Sequence, residues 1–161
     1  MPDLTSLAAS VGALLKEKQH TIAVSESSCG GLMSAALLAV PGASAYYQGG
    51  TIIYTQASRE GILEISEAEM AGMRASTEPY AMLTARKLRA RLGTTWALSE
   101  TGASGPTGNR YGDDAGHACF AVVGPVERSM TLETGESDRE ANMWAFARRA
   151  LAFLEECIKA A

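Results

Sequence analysis

Residues 21–40, Thr21-Ile22-Ala23-Val24-Ser25-Glu26-Ser27-Ser28-Cys29-Gly30-Gly31-Leu32-Met33-Ser34-Ala35-Ala36-Leu37-Leu38-Ala39-Val40, decide the fold class. Residues 21–25 form a short apolar run that reads as a strand buried on both faces, as in parallel sheets. Residues 32–40 read as a helix that Pro41-Gly42 stops. Between them, Ser25-Glu26-Ser27-Ser28-Cys29-Gly30-Gly31 crowds hydroxyls, a carboxylate, a thiol and two glycines into one strand-to-helix turn. A strand that hands over directly to a helix belongs to an α/β fold. A serine at such a helix start is an ordinary cap, a phosphate ligand, or a nucleophile beside unpaired N–H groups, and these residues alone leave all three open. Gly30-Gly31 weakens the helix start and lets a ligand reach backbone.

Outward from this turn the pattern continues. Leu4, Leu7, Val11, Leu14 and Leu15 recur at helical spacing behind Asp3 as N-cap, which predicts a helix over 4–19. A second strand is expected over 48–55, entered through Gly49-Gly50, and a helix over 57–63. Ser76-Thr77-Glu78-Pro79 opens a long helix that Gly93 ends, and a strand follows over 95–99. Residues 101–114 read as a glycine-rich loop, and 116–123 with 129–133 as a β-hairpin across Gly124-Pro125. Ser137-Asp138-Arg139-Glu140 fits a capping box before a last helix carrying Met143, Phe146, Ala147, Ala150, Leu154 and Ile158. The sum is one domain over residues 1–161: a three-layer α/β/α arrangement with a largely parallel sheet and a C-terminal antiparallel hairpin.

Composition bounds the function. At 161 residues the chain can bury about two thirds of the surface that its unfolded form exposes. A net charge of -4, without a run of Lys and Arg, argues against nucleic acid as a partner. Cys29, Cys119 and Cys157 form neither a disulfide framework nor a CxxC metal pair, which fits a reducing cytoplasm. No basic segment followed by an apolar core opens the sequence, and the longest apolar run, 32–40, is too short to cross a bilayer. Neither secretion nor membrane association is expected.

Ligands of open α/β sheets collect at the carboxyl ends of the strands. Besides the 25–31 turn, two regions there have unusual composition. In Tyr54-Thr55-Gln56-Ala57-Ser58-Arg59 a tyrosine and an arginine can both face a site, or be a strand-end Tyr and a solvated helix Arg. Ser99-Glu100-Thr101-Gly102-Ala103-Ser104-Gly105-Pro106-Thr107-Gly108 matches neither the Walker loop nor the dinucleotide fingerprint. Long loops of this kind are uncommon unless functional.

Together these three regions resemble the CinA C-terminal domain family, whose stand-alone members are nicotinamide-nucleotide amidases. Ser25 to Gly31 aligns without a gap with the family's Ala-Glu-Ser-Cys-Thr-Gly-Gly. Pro41-Gly42-Ala43-Ser44, Tyr54 within the family's Tyr-Ser-Asn-x-x-Lys element, Ser76-Thr77-Glu78-Pro79 and Thr101-Gly102-x-x-Gly105-Pro106 are the further matches. The family's larger N-terminal domain has no counterpart in these residues. The resemblance implies hydrolysis of the carboxamide of nicotinamide mononucleotide to nicotinate mononucleotide and ammonia, with Ser27 as nucleophile and neither metal nor cofactor. Amides at the helix start would hold the oxyanion. Ser104 and the matched Thr101, Gly102 and Gly105 would shape the pocket; Glu26, Gly30, Gly31 and Gln56 would contact substrate. Family members further imply a homo-oligomer.

The sequence departs from the family at several positions of this site. Arg59 stands where the family has a lysine that helps to deprotonate the serine, and Gln56 stands for an asparagine. Guanidinium stays protonated in proteins, so Arg59 cannot act as that base. Lys16, Lys18, Lys87 and Lys159 fall on other helices, His20 at the far end of its strand and His117 in the hairpin. That leaves Tyr54, with its phenolate favoured by Arg59, and Glu26 as an orienting or capping group. Cys29, where the family has Thr, would be a lowered-pKa thiol at a helix start. Two classes follow: a working amidohydrolase with altered base chemistry, and a catalytically silent relative in which Arg59 holds a phosphate. The set Ser27, Glu26, Gly30, Gly31 and Tyr54 favours the enzyme.

Overall fold

A computed structural model describes residues 2–161. Helix α1 (Pro2–Lys18) leads into β1 (Ile22–Glu26), and α2 (Leu32–Leu38) and a 3-10 turn (Ala43–Ala45) into the edge strand β2 (Tyr47–Ile52). Two short helices, α3 (Gln56–Leu63) and α4 (Glu67–Met70), precede the long α5 (Glu78–Leu92). Strands β3 (Trp96–Ala103), β4 (His117–Val123) and β5 (Glu127–Glu133) and helix α6 (Arg139–Ala160) complete the domain. The five strands run in the order β2-β1-β3-β4-β5, with β1 parallel to β2 and β3, and β4 antiparallel to both its neighbours.

The alternation of side chains along each strand splits the core. Ile22, Val24, Trp96, Leu98, Phe120 and Val122 face α1, α2 and α6, where Leu4, Leu15, Phe146, Leu151 and Leu154 close the layer. On the other face Ala97, Ala121 and Val123 meet Ala81 and Ala85 of α5, and these small residues let the helix lie close to the sheet. Each large apolar side chain buried here contributes about 1.5–3 kcal/mol. Among the described residues no helix is long and apolar enough to cross a membrane.

Local chemistry moves several boundaries. Helix α1 already includes Asp3, so that residue lies in the first turn instead of capping it; Pro2 suits the first helical position. Strand β2 stops at Ile52 because Thr55 caps α3, accepting from the Ser58 N–H while the Ser58 hydroxyl answers the Thr55 N–H. Gly49 and Gly50 lie inside β2, where a Cβ on Gly50 would stand 2.8 Å from the Val24 carbonyl oxygen. The one-turn α4, unanticipated, is opened by a Ser66/Glu69 capping box. Asp138, not Ser137, caps α6, accepting from the Ala141 N–H at 2.8 Å. Strand β3 runs past Ser99 to Ala103 because Glu100, Thr101, Gly102 and Ala103 pair with Phe120, Cys119, Ala118 and His117. Thr101 and Gly102 are therefore strand residues, and the antiparallel part of the sheet extends one pairing beyond the hairpin.

A Cβ on Gly102 would lie 2.6 Å from the His117 carbonyl oxygen, whereas one on Gly61 in α3 would meet nothing within 4 Å. Gly102→Ala is expected to cost about 1–3 kcal/mol through a forced strand shift. Gly61→Ala is expected to add about 0.5–1 kcal/mol through helix propensity. Thermal melts of the two variants should therefore move in opposite directions.

Candidate active site

The sheet order changes direction at β1, whose neighbours β2 and β3 are reached by chain running opposite ways, and a crevice forms outside the carboxyl ends of these strands. It is a cleft of about 640 Å³. Ser27 lines it after β1, Ile53, Tyr54 and Thr55 after β2, and Thr101 and Gly102 near the end of β3; α3, α4, Tyr80 of α5 and the 73–76 and 109–111 segments form the rest of its wall.

The 27–31 turn is built around two buried carboxylates. Glu26, the last residue of β1, is 1% exposed. Its Oε1 accepts from the N–H groups of Gly31 and Met33, both at 3.0 Å, and its Oε2 from Ser34 at 2.8 Å. Burial pushes the Glu26 carboxyl above its usual pKa, the Ser34 and Met33 hydrogen bonds pull it back, and the nearby Glu100 charge adds to the rise. Glu100 reaches the same turn from β3. Its Oε2 accepts from Ser27 N at 2.9 Å and Cys29 N at 3.0 Å, and its Oε1 from the Ser28 hydroxyl. Gly30 and Gly31 adopt φ of +63° and +105°, a left-handed conformation that side chains disfavour.

Two expectations change here. Most of the amides at the helix start already serve carboxylates, so they form no open oxyanion site. Cys29 is fully buried, and desolvation, with the Glu100 and Glu26 charges, holds its thiol well above the usual value, so it is no reactive thiolate.

Of the expected site residues, Ser27, Tyr54, Gln56, Arg59, Thr101 and Gly102 line the cleft. Glu26, Gly30, Gly31, Ser104 and Gly105 do not: the first three shape the turn, and the last two belong to a neighbouring loop. The Ser104 hydroxyl is buried without a partner, and its carbonyl accepts from Asn142 Nδ2 at 2.8 Å. Gly105 at φ +115° leaves no space for a Cβ, which would stand 2.5 Å from the Ser137 carbonyl oxygen. The Ser27 hydroxyl bonds to no other described residue.

The hydrogen bonds of Arg59 go to a residue other than Tyr54. Its Nη2 donates to Glu67 at 2.7 Å, and Gln56 donates to the same carboxylate at 3.2 Å. Its Nε is buried without a hydrogen-bond partner. Burial raises the pKa of Tyr80, and the adjacent Arg59 charge opposes that rise. The cation on Tyr54 is instead Arg139, at the start of α6, whose Nη2 donates to the phenol oxygen at 3.0 Å while its Nη1 donates to the Gly105 carbonyl. At the other wall, Arg74 pairs with Asp113 through Nη1 and Nη2, and the ring of Tyr111 lies 4.9 Å from the Arg74 and 5.0 Å from the Arg110 guanidinium. The Arg74 hydrogen bond holds Asp113 below its usual carboxylate pKa, with burial opposing. Among the described residues no three His, Cys, Asp or Glu side chains are placed to hold a metal ion.

Glu100, Arg139, Glu67, Arg74, Arg110 and Tyr111 escaped sequence reasoning. Glu100 alone left a signal, a carboxylate two residues after the apolar run Trp96-Ala97-Leu98, where burial demands hydrogen-bond donors. As expected, His20 lies away from the cleft, accepting from Trp96 Nε1 at 3.0 Å.

His117 is structural. Its Nε2 faces the Ser76 carbonyl at 2.8 Å and its Nδ1 the Glu133 carboxylate, so only the imidazolium can donate to both. Burial would lower the His117 pKa, but the Glu133 and Ser76 hydrogen bonds and the Glu133 and Asp113 charges together raise it. This holds Ser76, at φ +60°, whose N–H donates to Thr101 Oγ1 at 3.1 Å behind the cleft wall. A raised folded-state value means stability fully present below the unfolded-state value of 6.5 and lost as pH rises through the folded value. The melting-temperature gap between wild type and His117→Phe should therefore be widest just below pH 6.5 and narrow toward alkaline pH.

Residues 4–158 match the model of the CinA C-terminal domain. A CinA-like protein of Gloeobacter violaceus is 37% identical over 134 residues, covering 83% of this chain and 32% of the relative. One from Chlorobium limicola is 34% identical over 152 residues, covering 91% and 35%. The chain thus spans about a third of the length of these curated relatives. The crystal structure of a CinA superfamily protein from Klebsiella pneumoniae superposes with a TM-score of 0.92 at 23% identity, covering 98% of this chain and 99% of that one.

Proposed function

The chain belongs to the CinA C-terminal domain family, and on that premise we propose that it is an amidohydrolase that converts nicotinamide mononucleotide to nicotinate mononucleotide and ammonia. One geometric fact carries the reading. Ser27 follows directly on β1 and lines the cleft, its hydroxyl free of other described residues while the amides on either side of Ser28 are fixed by Glu100.

In this reading Ser27 Oγ attacks the carboxamide carbon, and the carbonyl π pair moves onto oxygen as a tetrahedral anion. Collapse expels the amine, which takes up the proton that Ser27 gave, and leaves an acyl ester on Ser27. Water then attacks that ester, and one of its protons passes to Ser27 Oγ as the acid departs. Tyr54 is the group that carries the proton, its ring oriented by the Arg139 hydrogen bond to its oxygen. Arg59 is a binding residue: its guanidinium lines the cleft beside Glu67, a fixed cation suited to an anionic substrate. Arg110, over the Tyr111 ring in the cleft lining, adds positive field for the phosphate.

A second reading, a relative that binds the nucleotide without cleaving it, is favoured by one observation: no lysine is among the residues that line the cleft. Ammonia release and nucleotide binding, followed side by side, separate the two. For the enzyme, wild type turns over, Ser27→Ala loses roughly 10³-fold or more, and Tyr54→Phe loses about 10²–10⁴-fold. Wild type that binds without turnover, and gains it in Arg59→Lys, establishes the silent relative; a protein that neither binds nor cleaves the nucleotide overturns both. A fully active Tyr54→Phe variant removes Tyr54 as the proton carrier.

A further inference from the structure

We propose that Glu100 is the positioning residue of the Ser27 turn, holding the Ser27 and Cys29 amides and the Ser28 hydroxyl so that the Ser28 N–H alone is left to meet a developing oxyanion. The inference rests on Ser27 being the nucleophile and goes beyond it in assigning the machinery that aims it.

The hydrogen bonds of the turn carry the argument. From Ser27 to Ser34 the amides of Ser27 and Cys29 go to Glu100, and those of Gly31, Met33 and Ser34 to Glu26. Gly30 N donates to the Ser27 carbonyl at 3.1 Å and Leu32 N to the Cys29 carbonyl at 3.2 Å. The Ser28 N–H is the one amide in this stretch that bonds to no described residue. It belongs to the residue after the nucleophile, the position that supplies an oxyanion donor in strand-to-helix nucleophile turns. A single carboxylate oxygen drawing in the first and third amides fixes the peptide plane between them. Glu100 is 3% exposed and does not line the cleft, so it acts through the turn and not on substrate.

Three variants test this. Glutamine keeps a carbonyl oxygen for both amides and can donate its NH₂ to Ser28 Oγ, because a hydroxyl can exchange donor for acceptor role. Aspartate keeps the charge but falls short. With nicotinamide mononucleotide, Glu100→Gln should lose less than about tenfold in kcat, while Glu100→Asp and Glu100→Ala should lose about 10²–10³-fold with KM little changed.

A second readout does not depend on the amide: the rate at which a fluorophosphonate labels Ser27, followed by intact mass, with Ser27→Ala as blank and melts confirming folded protein. Labelling that is fast in wild type and Glu100→Gln and slow in the other two supports the inference. Should Glu100→Ala fail to fold, the Gln-above-Asp order still decides. Folded Glu100→Asp labelled as fast as Glu100→Gln overturns it. Wild type that is labelled but releases no ammonia refutes the amide substrate and leaves this inference to be judged on labelling. Wild type that is not labelled at Ser27 overturns the nucleophile and the inference together.

Discussion

Five backbone amides donated to two buried carboxylates, Glu26 and Glu100, are the constraint on which the cleft depends. Burying an ionised carboxyl costs several kcal/mol unless donors replace its water, and a helix start offers donors that otherwise lack partners. Each side meets the other's need. Glu26 comes from the strand that enters the turn and Glu100 from the adjacent strand, so the turn is tied to the sheet at two points and Ser27 is left between them. Their mutual repulsion raises the Glu26 pKa, though less than burial does.

The cations around the cleft divide by partner. Arg74 is matched by Asp113 and Arg59 in part by Glu67. Arg139 spends its donors on the Gly105 carbonyl and the Tyr54 oxygen, which joins α6 and the 104–106 loop to the end of β2. The cleft wall is thus positively biased although the whole chain carries -4. Local donors, not net charge, decide what such a surface holds. A guanidinium at position 59 keeps its proton where an amine could lose it.

Most of the architecture was legible because its signals are local. Apolar periodicity marked the helices and strands; Thr77 before Glu78-Pro79 and Asp138 before Arg139-Glu140 marked helix starts, and Gly93 a helix end at φ +64°. Boundaries moved where pairing between distant strands outweighed local composition, as when β4 drew residues 100–103 out of an expected loop into β3. Ser27 and Tyr54 were also legible, since each sits at a strand end in a motif readable without the fold.

By itself, the sequence determined an α/β domain with Ser27 at the turn after its first strand, because secondary-structure periods and turn chemistry act over a few residues. Only the tertiary structure decided which charges meet there. Glu100 reaches Ser27 across 73 residues and Arg139 reaches Tyr54 across 85, separations at which a sequence pattern carries no distance information and only strand order and helix packing do.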